Sequence, residues 1–369
     1  MGEEAGQTNI SGSRNTFIGR EAGKNNTADR NTFIGCMAGF ANTSGYQNTF
    51  VGNGAGIDNT TGHHNFCLGD SAGYDNSDGT HNVFIGAASG ATTEHADFNT
   101  FIGAYAGYEN NHSNHTDDAN RNTYIGFKCG YTNREGEDNV FIGYKADFRS
   151  VGTDDINNRR NVVIGSSANM GTTSSSGGNN NMVLIGAESY VYQDDVTAVG
   201  YKNMVGGARS ISLGAYDTIT ATDAVCIGYD AKISGNYSIG IGRETEIANS
   251  NAIAIGYQAA VSSNNEVSIG NSTTATIGGY VNWTATSDAR VKTNIEENVK
   301  GLNFIDALRP VTYNYDIATL EAFFGREIPE GLQEAALQKS ATQYSGFIAQ
   351  EVENAAKEQG YDFSGVNAP

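Results

Sequence analysis

The chain is poor in proline, in paired cysteine, in basic charge and in long apolar runs, and each shortage removes a class of protein. Only three prolines occur in 369 residues, Pro310, Pro329 and Pro369, so nothing before residue 310 interrupts strand pairing through a missing amide. The four cysteines, Cys36, Cys67, Cys129 and Cys226, stand far apart with no paired spacing, which indicates neither a zinc site nor a disulfide framework. Lysine and arginine total 22 against 41 acidic residues, a formal net charge of −19. Nucleic acid and anionic membrane surfaces reward a basic patch that this sequence lacks, so neither is an expected partner. No apolar window is long enough to span a bilayer, and Met1-Gly2-Glu3-Glu4 is unlike a basic start followed by an apolar stretch. Membrane insertion by this chain is not expected.

Glycine is what the sequence has in excess, and 41 of the 47 glycines precede residue 287. An aliphatic-glycine pair recurs from Gly19 and Gly35 through Gly256 and Gly270, and Gly2, 17 residues before Gly19, belongs to the series. Spacings of 16 or 17 residues dominate the first part, with expansions to 23, 22 and 21 after Gly103, Gly143 and Gly165; six spacings of 14 follow Gly186. Self-similarity at such a period marks a solenoid. In the short-period zone the residues three and one before the glycine are apolar and the one between is small, as in Val225-Cys226-Ile227 and Ile253-Ala254-Ile255. That alternation is the signature of a strand with one buried face, and the glycine permits a tight turn after it. Rungs of this kind coil into a parallel β-solenoid that rises about 4.8 Å per rung, so seventeen rungs make a rod on the order of 80 Å long. Residues 1–186 form the long-period repeats and 187–279 the 14-residue repeats. The chain opens in mid-repeat, from which more protein upstream is expected.

Two ladders mark the long-period zone. Asn15, Asn31, Asn48, Asn65, Asn82, Asn99, Asn122, Asn139 and Asn161 all stand four residues before their glycine, a phase that stacks identical amides. Bulky residues, Phe17, Phe33, Phe50, Phe84, Phe101, Tyr124 and Phe141, stand two before it. Both strand faces are then apolar, which predicts that a second chain covers one of them; rotation about the rod axis closes a homotrimer and also covers open strand edges.

Asn251 to Gly270, NAIAIGYQAAVSSNNEVSIG, and Ala224 to Gly242, AVCIGYDAKISGNYSIGIG, resemble the head repeats of YadA-like trimeric autotransporter adhesins. The resemblance implies a left-handed parallel β-roll in a homotrimer, and the NTFIG repeats of residues 15 to 107 resemble a longer variant found in fibre-like surface proteins.

Residues 280–286 form a junction, and from Ser287 to Pro369 the glycine period stops, charged residues rise to 20 of 83 and helix-forming runs appear, which predicts a small α+β domain. Ser287-Asp288, Arg290, Lys292, Asn294-Ile295, Leu308-Arg309-Pro310-Val311, Tyr313 and Gly346-Phe347-Ile348-Ala349-Gln350-Glu351 resemble the intramolecular chaperone of endosialidase, peptidase S74, found at the end of tail spikes and fibres. The resemblance implies a trimeric chaperone that cleaves itself off, with Ser287 as nucleophile, Lys292 as general base and Thr286-Ser287 as the scissile bond. A serine hydroxyl needs a base, and a lysine serves as one only when burial lowers its pKa. Without the resemblance, Ser287-Asp288 reads as a helix N-cap and Lys292 as a solvated side chain. Pro369 falls short of the long C-terminal helix that the family carries.

Binding is expected on the expanded rungs, in loops Asn110 to Arg121, Phe148 to Arg160 and Gly171 to Asn180. Asn110, His112, His115, Asp117, Asp118, Phe148, Asp154 and Asp155 are the candidate receptor-binding residues, and the partner is a host-cell surface glycan or protein receptor. Other constellations are weaker. His64, His81 and His115 share one phase and would line one side of the rod as metal ligands or proton-sensitive contacts, although solvated loop histidines account for them more simply. Asp75 to Gly79, DNSDG, lacks the terminal glutamate of a calcium loop. Phe40, Tyr74, Tyr108, Tyr131 and Phe148 form a stripe that either stacks on sugars or continues within the rod. No cofactor and no resident metal is expected. The sequence thus reads as an extracellular fibre or adhesin, on a virion tail or a bacterial surface, with a self-cleaving assembly chaperone. The alternative is a glycan-degrading tail-spike-type enzyme, against which stands the lack of a long non-repeat domain to hold a catalytic groove.

Overall fold

The computed structural model describes residues 2–111, 119–149, 158–171, 180–275, 277, 290, 293, 301–323 and 327–360. The chain divides into two compact units, Met1–Ile269 and Gly270–Pro369.

The first unit is a parallel β-solenoid. Sixteen short strands, from Thr16–Ile18 to Val267–Ile269, pair in sequence order into one parallel sheet, each contributed by one rung. Register is that of the repeat: Phe17 pairs with Phe33, Phe33 with Phe50, and Gly214 with Gly228. The longer spacings do not disturb it, since Phe101 pairs with Tyr124 and Val140 with Val162 across the expanded rungs.

The column glycine follows the three-residue strands directly and lies inside the five-residue ones such as Thr197–Tyr201, and two constraints require it. At Gly35 the backbone holds φ at +140°, and a β-carbon there would stand 2.1 Å from the Gly52 carbonyl oxygen of the next rung. A β-carbon on Gly2 would meet the Gly19 backbone at 2.2 Å, so Gly2 stands on the same column. The actual left-handed corners lie elsewhere, two residues after and five before these glycines, and are mostly occupied by ordinary residues such as Lys202 (φ 55°), Tyr216 (φ 61°), Arg209 (φ 53°) and Tyr237 (φ 59°). An isolated non-glycine residue in that region costs about 1–2 kcal/mol. The rung-to-rung ladder holds it there, as when Tyr216 donates its backbone N–H to the Tyr201 carbonyl at 2.9 Å.

Interior filling differs between the two zones. In the long-period rungs Phe33, Phe50, Phe84, Phe101, Tyr124 and Phe141 point inward and are fully buried, stacked at centroid distances such as 5.0 Å for Phe33–Phe50 and 4.7 Å for Phe101–Tyr124. Opposite them lie alanines, Ala22, Ala38, Ala55 and Ala72, each followed by a glycine whose missing β-carbon makes room for the ring. At Gly39 that carbon would stand 2.7 Å from the Phe33 ring. In the short-period rungs the small residues Ala198, Ser212, Cys226 and Ala254 face inward instead, and Val205, Ile219, Ile233 and Ile247 fill the space from the other side. Those residues belong to a second, seven-stranded parallel sheet that runs from Asp147–Arg149 to Glu246–Ile247. The roll of the earlier long-period rungs is therefore not the same cross-section with a larger loop: among the described residues, the second sheet begins only at Asp147, and in the rungs before it a left-handed glycine, such as Gly39, Gly56 or Gly130, stands at the phase where Asp147 opens its strand.

Asparagine ladders bind the rungs together in the first zone. The Asn31 side-chain oxygen accepts the Asn48 backbone N–H at 2.9 Å, Asn48 accepts from Asn65 at 2.9 Å, and the pattern continues to Met182, whose N–H reaches Asn161 at 2.9 Å. The amide nitrogens donate to turn carbonyls, as Asn48 to Gly62 at 2.7 Å. A second ladder, seven residues after the glycine, joins Asn26, Asn42, Asn59 and Asn76 through side chain to side chain bonds of 2.6 Å, 2.6 Å and 3.3 Å. Both sets are buried, so each amide replaces hydration it has lost.

The second unit is small and mixed. Helices α1 (Leu302–Ala307), α2 (Ile317–Phe323), α3 (Gln333–Ala341) and α4 (Ala349–Glu358) accompany an antiparallel strand pair, Val311–Tyr313 with Tyr344–Gly346. Phe304 and Leu308 pack on Val352, Ala355 and Ala356 of α4. No helix among the described residues is long and apolar enough to cross a membrane.

Candidate functional site

The C-terminal unit brings together sequence pieces that lie about forty residues apart. Val311 pairs with Gly346 and Tyr313 with Tyr344, which sets the LRPVTY segment against GFIAQE. Arg309 then grips Glu351 with two parallel bonds, Nε to Oε2 at 3.1 Å and Nη2 to Oε1 at 2.5 Å. The guanidinium holds the Glu351 carboxyl below its ordinary pKa. Tyr315 packs its ring against Tyr313 and Tyr344, each at 5.3 Å, beside the strand pair. With the two motifs joined in one strand pair and one ion pair, comparison with known families is decisive for this segment. Residues 287–361 match the family Chaperone of endosialidase, Peptidase_S74. The C-terminal segment carries a chaperone-of-endosialidase domain. The match takes in this segment and leaves the solenoid outside it. No curated protein matches the chain.

The match begins at Ser287, the residue that the resemblance implies as nucleophile. Ser287, Lys292 and Thr286 themselves lie outside the described residues, so their mutual geometry is not on view. Around the domain's small core Leu302, Ile305, Phe323, Leu337 and Phe347 are all exposed, Leu302 at 75% and Leu337 at 72%. A domain of this size with that much uncovered aliphatic and aromatic surface presents faces suited to further apolar contact.

The solenoid has a comparable uncovered face. Aliphatic residues one before the column glycine point outward along the first sheet, and Leu68, Ile102, Ile185, Leu213, Ile227 and Ile255 are 36–40% exposed. In the short-period rungs the small residue is inside and the apolar pair outside, because the second sheet already fills the interior.

The receptor-binding candidates divide. Asn110 is fully buried and donates its amide to the Ala119 carbonyl at 3.1 Å, closing the foot of its loop as a member of the second asparagine ladder. Phe148 is buried in the roll core, 2% exposed. Both side chains are thus enclosed within the single chain, and Phe148 occupies an inward strand position, in keeping with a stripe that continues within the rod. His112, His115, Asp117, Asp118, Asp154 and Asp155 lie outside the described residues. In the same stripe Tyr108 and Tyr131 stack on each other at 5.0 Å. Asp75 to Gly79 is a polar turn: Asn76 sits in the buried ladder and Asp78 meets His95 Nδ1 at 2.7 Å. His64 and His81 do come together, and His63, which the shared phase did not single out, joins them.

Proposed function

We propose that the chain is the shaft of an extracellular fibre or adhesin, a homotrimer assembled under the direction of its C-terminal chaperone domain and used for attachment to a cell surface. The observation that carries this reading is the outward apolar ladder of the first sheet, which runs the length of a solenoid joined to a chaperone-of-endosialidase domain. Solitary chains rarely leave so continuous an apolar face in water, and fully burying one such side chain contributes about 1.5–3 kcal/mol. Three copies related by rotation about the solenoid axis cover one another's ladders in a closed arrangement. The 14-residue period and its resemblance to YadA-like heads support the same assembly.

Near-identical rungs make register the assembly problem, since chains displaced by one rung still satisfy most ladders. A domain that trimerises first fixes the chain ends in phase. Its removal then leaves the shaft kinetically trapped. In the cleavage step a neutral Lys292 takes the Ser287 hydroxyl proton while the oxygen attacks the Thr286 carbonyl carbon. The C–N bond of Thr286-Ser287 breaks as the lysine returns the proton to the departing Ser287 amine. Water hydrolyses the resulting ester, freeing the Thr286 carboxylate and the Ser287 hydroxyl. Receptor contact is assigned to the expanded rungs, with His112, His115, Asp117, Asp118, Asp154 and Asp155 as the remaining side chains of that set.

Sedimentation of the full chain tests the assembly: three chains per particle is the expected result, and a folded monomer overturns it. Paired Leu213→Glu and Ile227→Glu substitutions should give folded single chains. A denaturing gel tests processing separately, through a fragment that begins at Ser287 and disappears in Ser287→Ala. Cell or glycan binding unchanged after shortening all three loops removes the receptor assignment alone.

A further inference from the structure

His63 and His64 sit at one corner of a rung and His81 at the same corner of the next, and their ligand nitrogens all lie within 4.8 Å of one another. Two features of the fold make this more than a chance approach. His64 (φ 61°) and His81 (φ 59°) occupy the left-handed corner five residues before the column glycine, so the repeat itself places them one above the other. Their backbones are pinned to the preceding rung, His64 N–H to the Tyr46 carbonyl and His81 N–H to the His63 carbonyl, both at 3.1 Å. The His64 and His81 rings are nearly parallel, with centroids 4.7 Å apart, and His63 stands almost perpendicular to both at 5.0 and 5.7 Å. Tyr46 stacks on His63 at 4.7 Å and Phe98 on His81 at 5.0 Å, which walls the group at both ends.

Among the described residues, no carboxylate is hydrogen-bonded to these three rings. The Nδ1 atoms of His63 and His64 face each other at 2.9 Å, and His81 Nδ1 stands 3.2 Å from the Thr80 hydroxyl. Neutral imidazole is the form that binds metal.

We propose that His63, His64 and His81 form a three-nitrogen site for a divalent first-row transition ion, Zn²⁺ or Ni²⁺, that clamps two successive rungs. Imidazole is the ligand type these ions favour. Metal–nitrogen bonds of about 2.0–2.1 Å set the three nitrogens at roughly 3.4 Å from one another, so binding turns the His64 and His81 rings out of their parallel stack. Three protein ligands leave a fourth position to water or to an incoming donor. The site uses no residue of the cleavage machinery and none of the expanded loops, so it stands whether or not those assignments do.

The test uses the full chain without a histidine tag, stripped with chelator and titrated with ZnCl₂ or NiCl₂ by calorimetry, alongside thermal unfolding with and without metal. One ion per chain and a raised melting temperature are expected. His64→Ala and His81→Ala should each weaken binding at least tenfold, with circular dichroism unchanged. A His63→Asn/His64→Asn/His81→Asn variant that retains His95, His112 and His115 should lose the high-affinity ion altogether. Equal binding by that variant places the metal elsewhere and overturns the proposal. Binding that survives His81→Ala but not His64→Ala overturns the inter-rung clamp, and no binding to the native chain leaves the three rings as a plain aromatic stack.

Discussion

The long-period and short-period rungs solve one packing problem in opposite ways. In the first the strand supplies a phenylalanine and the opposite wall supplies alanine and glycine; in the second the strand supplies Ala198, Cys226 or Ala254 and the opposite wall supplies Val205, Ile233 or Ile247. At Gly240, where the strand residue has no side chain, an added β-carbon would stand 3.0 Å from Ile233 Cδ1. The bulk that fills a rung thus comes from opposite walls in the two zones. Polar satisfaction changes with it: buried asparagines bridge the first zone, whereas Ser210 and Ser238 hydroxyls accept the Ala224 and Ala252 backbone N–H groups at 3.1 Å in the second.

The largest effect should come from the feature both zones share. Gly35→Ala and Gly214→Ala drive a β-carbon to 2.1 and 1.8 Å from the next carbonyl oxygen. Strain plus overpacking should cost about 3 kcal/mol or more in either zone, read as loss of the folded fraction in urea. Phenylalanine substitutions at two of the three buried cysteines sharpen the contrast. Cys67 interrupts the ring column between Phe50 and Phe84, so Cys67→Phe should be neutral or stabilising, while Cys226→Phe meets the opposite isoleucines and should cost about 1–3 kcal/mol. A shared penalty in both variants would break the volume argument.

Next come the ladders. Asn48→Ala orphans the Asn65 N–H and leaves the Gly62 carbonyl to the Asn59 amide, whereas Ser210→Ala removes the hydroxyl that bridges the Ala224 N–H and the Ala221 carbonyl. About 1–3 kcal/mol is expected for the asparagine and less for the serine, by denaturant titration. The smallest effect lies where the second sheet begins. Burial pushes the Asp147 carboxyl up to about 7, against backbone bonds from Phe148 and Thr132 that favour its charged form. Between the ordinary aspartate value and 7 the folded chain holds the proton more tightly, so stability falls as pH rises through that window. Asp147→Asn should therefore raise the melting temperature by a few degrees at pH 8, with the difference vanishing at pH 4.

Much of this was legible in sequence, and the parts that were not have physical reasons. The glycine series gave the rungs, their register and Gly2's place on the column. The asparagines four before each glycine are visible as a ladder, whereas the second set, seven after it, lies in polar stretches with no periodic apolar partner and shows as a ladder only once the rungs are stacked. Which face of Ile-Ala-Ile points inward is not encoded in the alternation alone, because it depends on what the opposite wall contributes. The left-handed corners were hidden because the residues there, among them Arg209, Tyr216 and Lys202, carry no turn signature; the ladder, not local preference, holds them. His63 escaped notice for a related reason, since its partnership with His64 and His81 arises from corner geometry and not from a shared phase. In the C-terminal domain, the motif pieces around Arg309 and Glu351 were recognisable separately, and their antiparallel pairing is what joins them.

The glycine column has a consequence for how such a protein changes over time. From Gly2 to Gly242 the column glycines rest on the carbonyl of their successors in the same way whether the spacing is 14, 17 or 23 residues. Neighbouring rungs thus see one another through a common coupling, as wagons do. Genetic duplication or deletion of a whole repeat within a zone leaves every remaining junction of a kind already present, and shaft length becomes a trait that recombination can alter without inventing a single new contact.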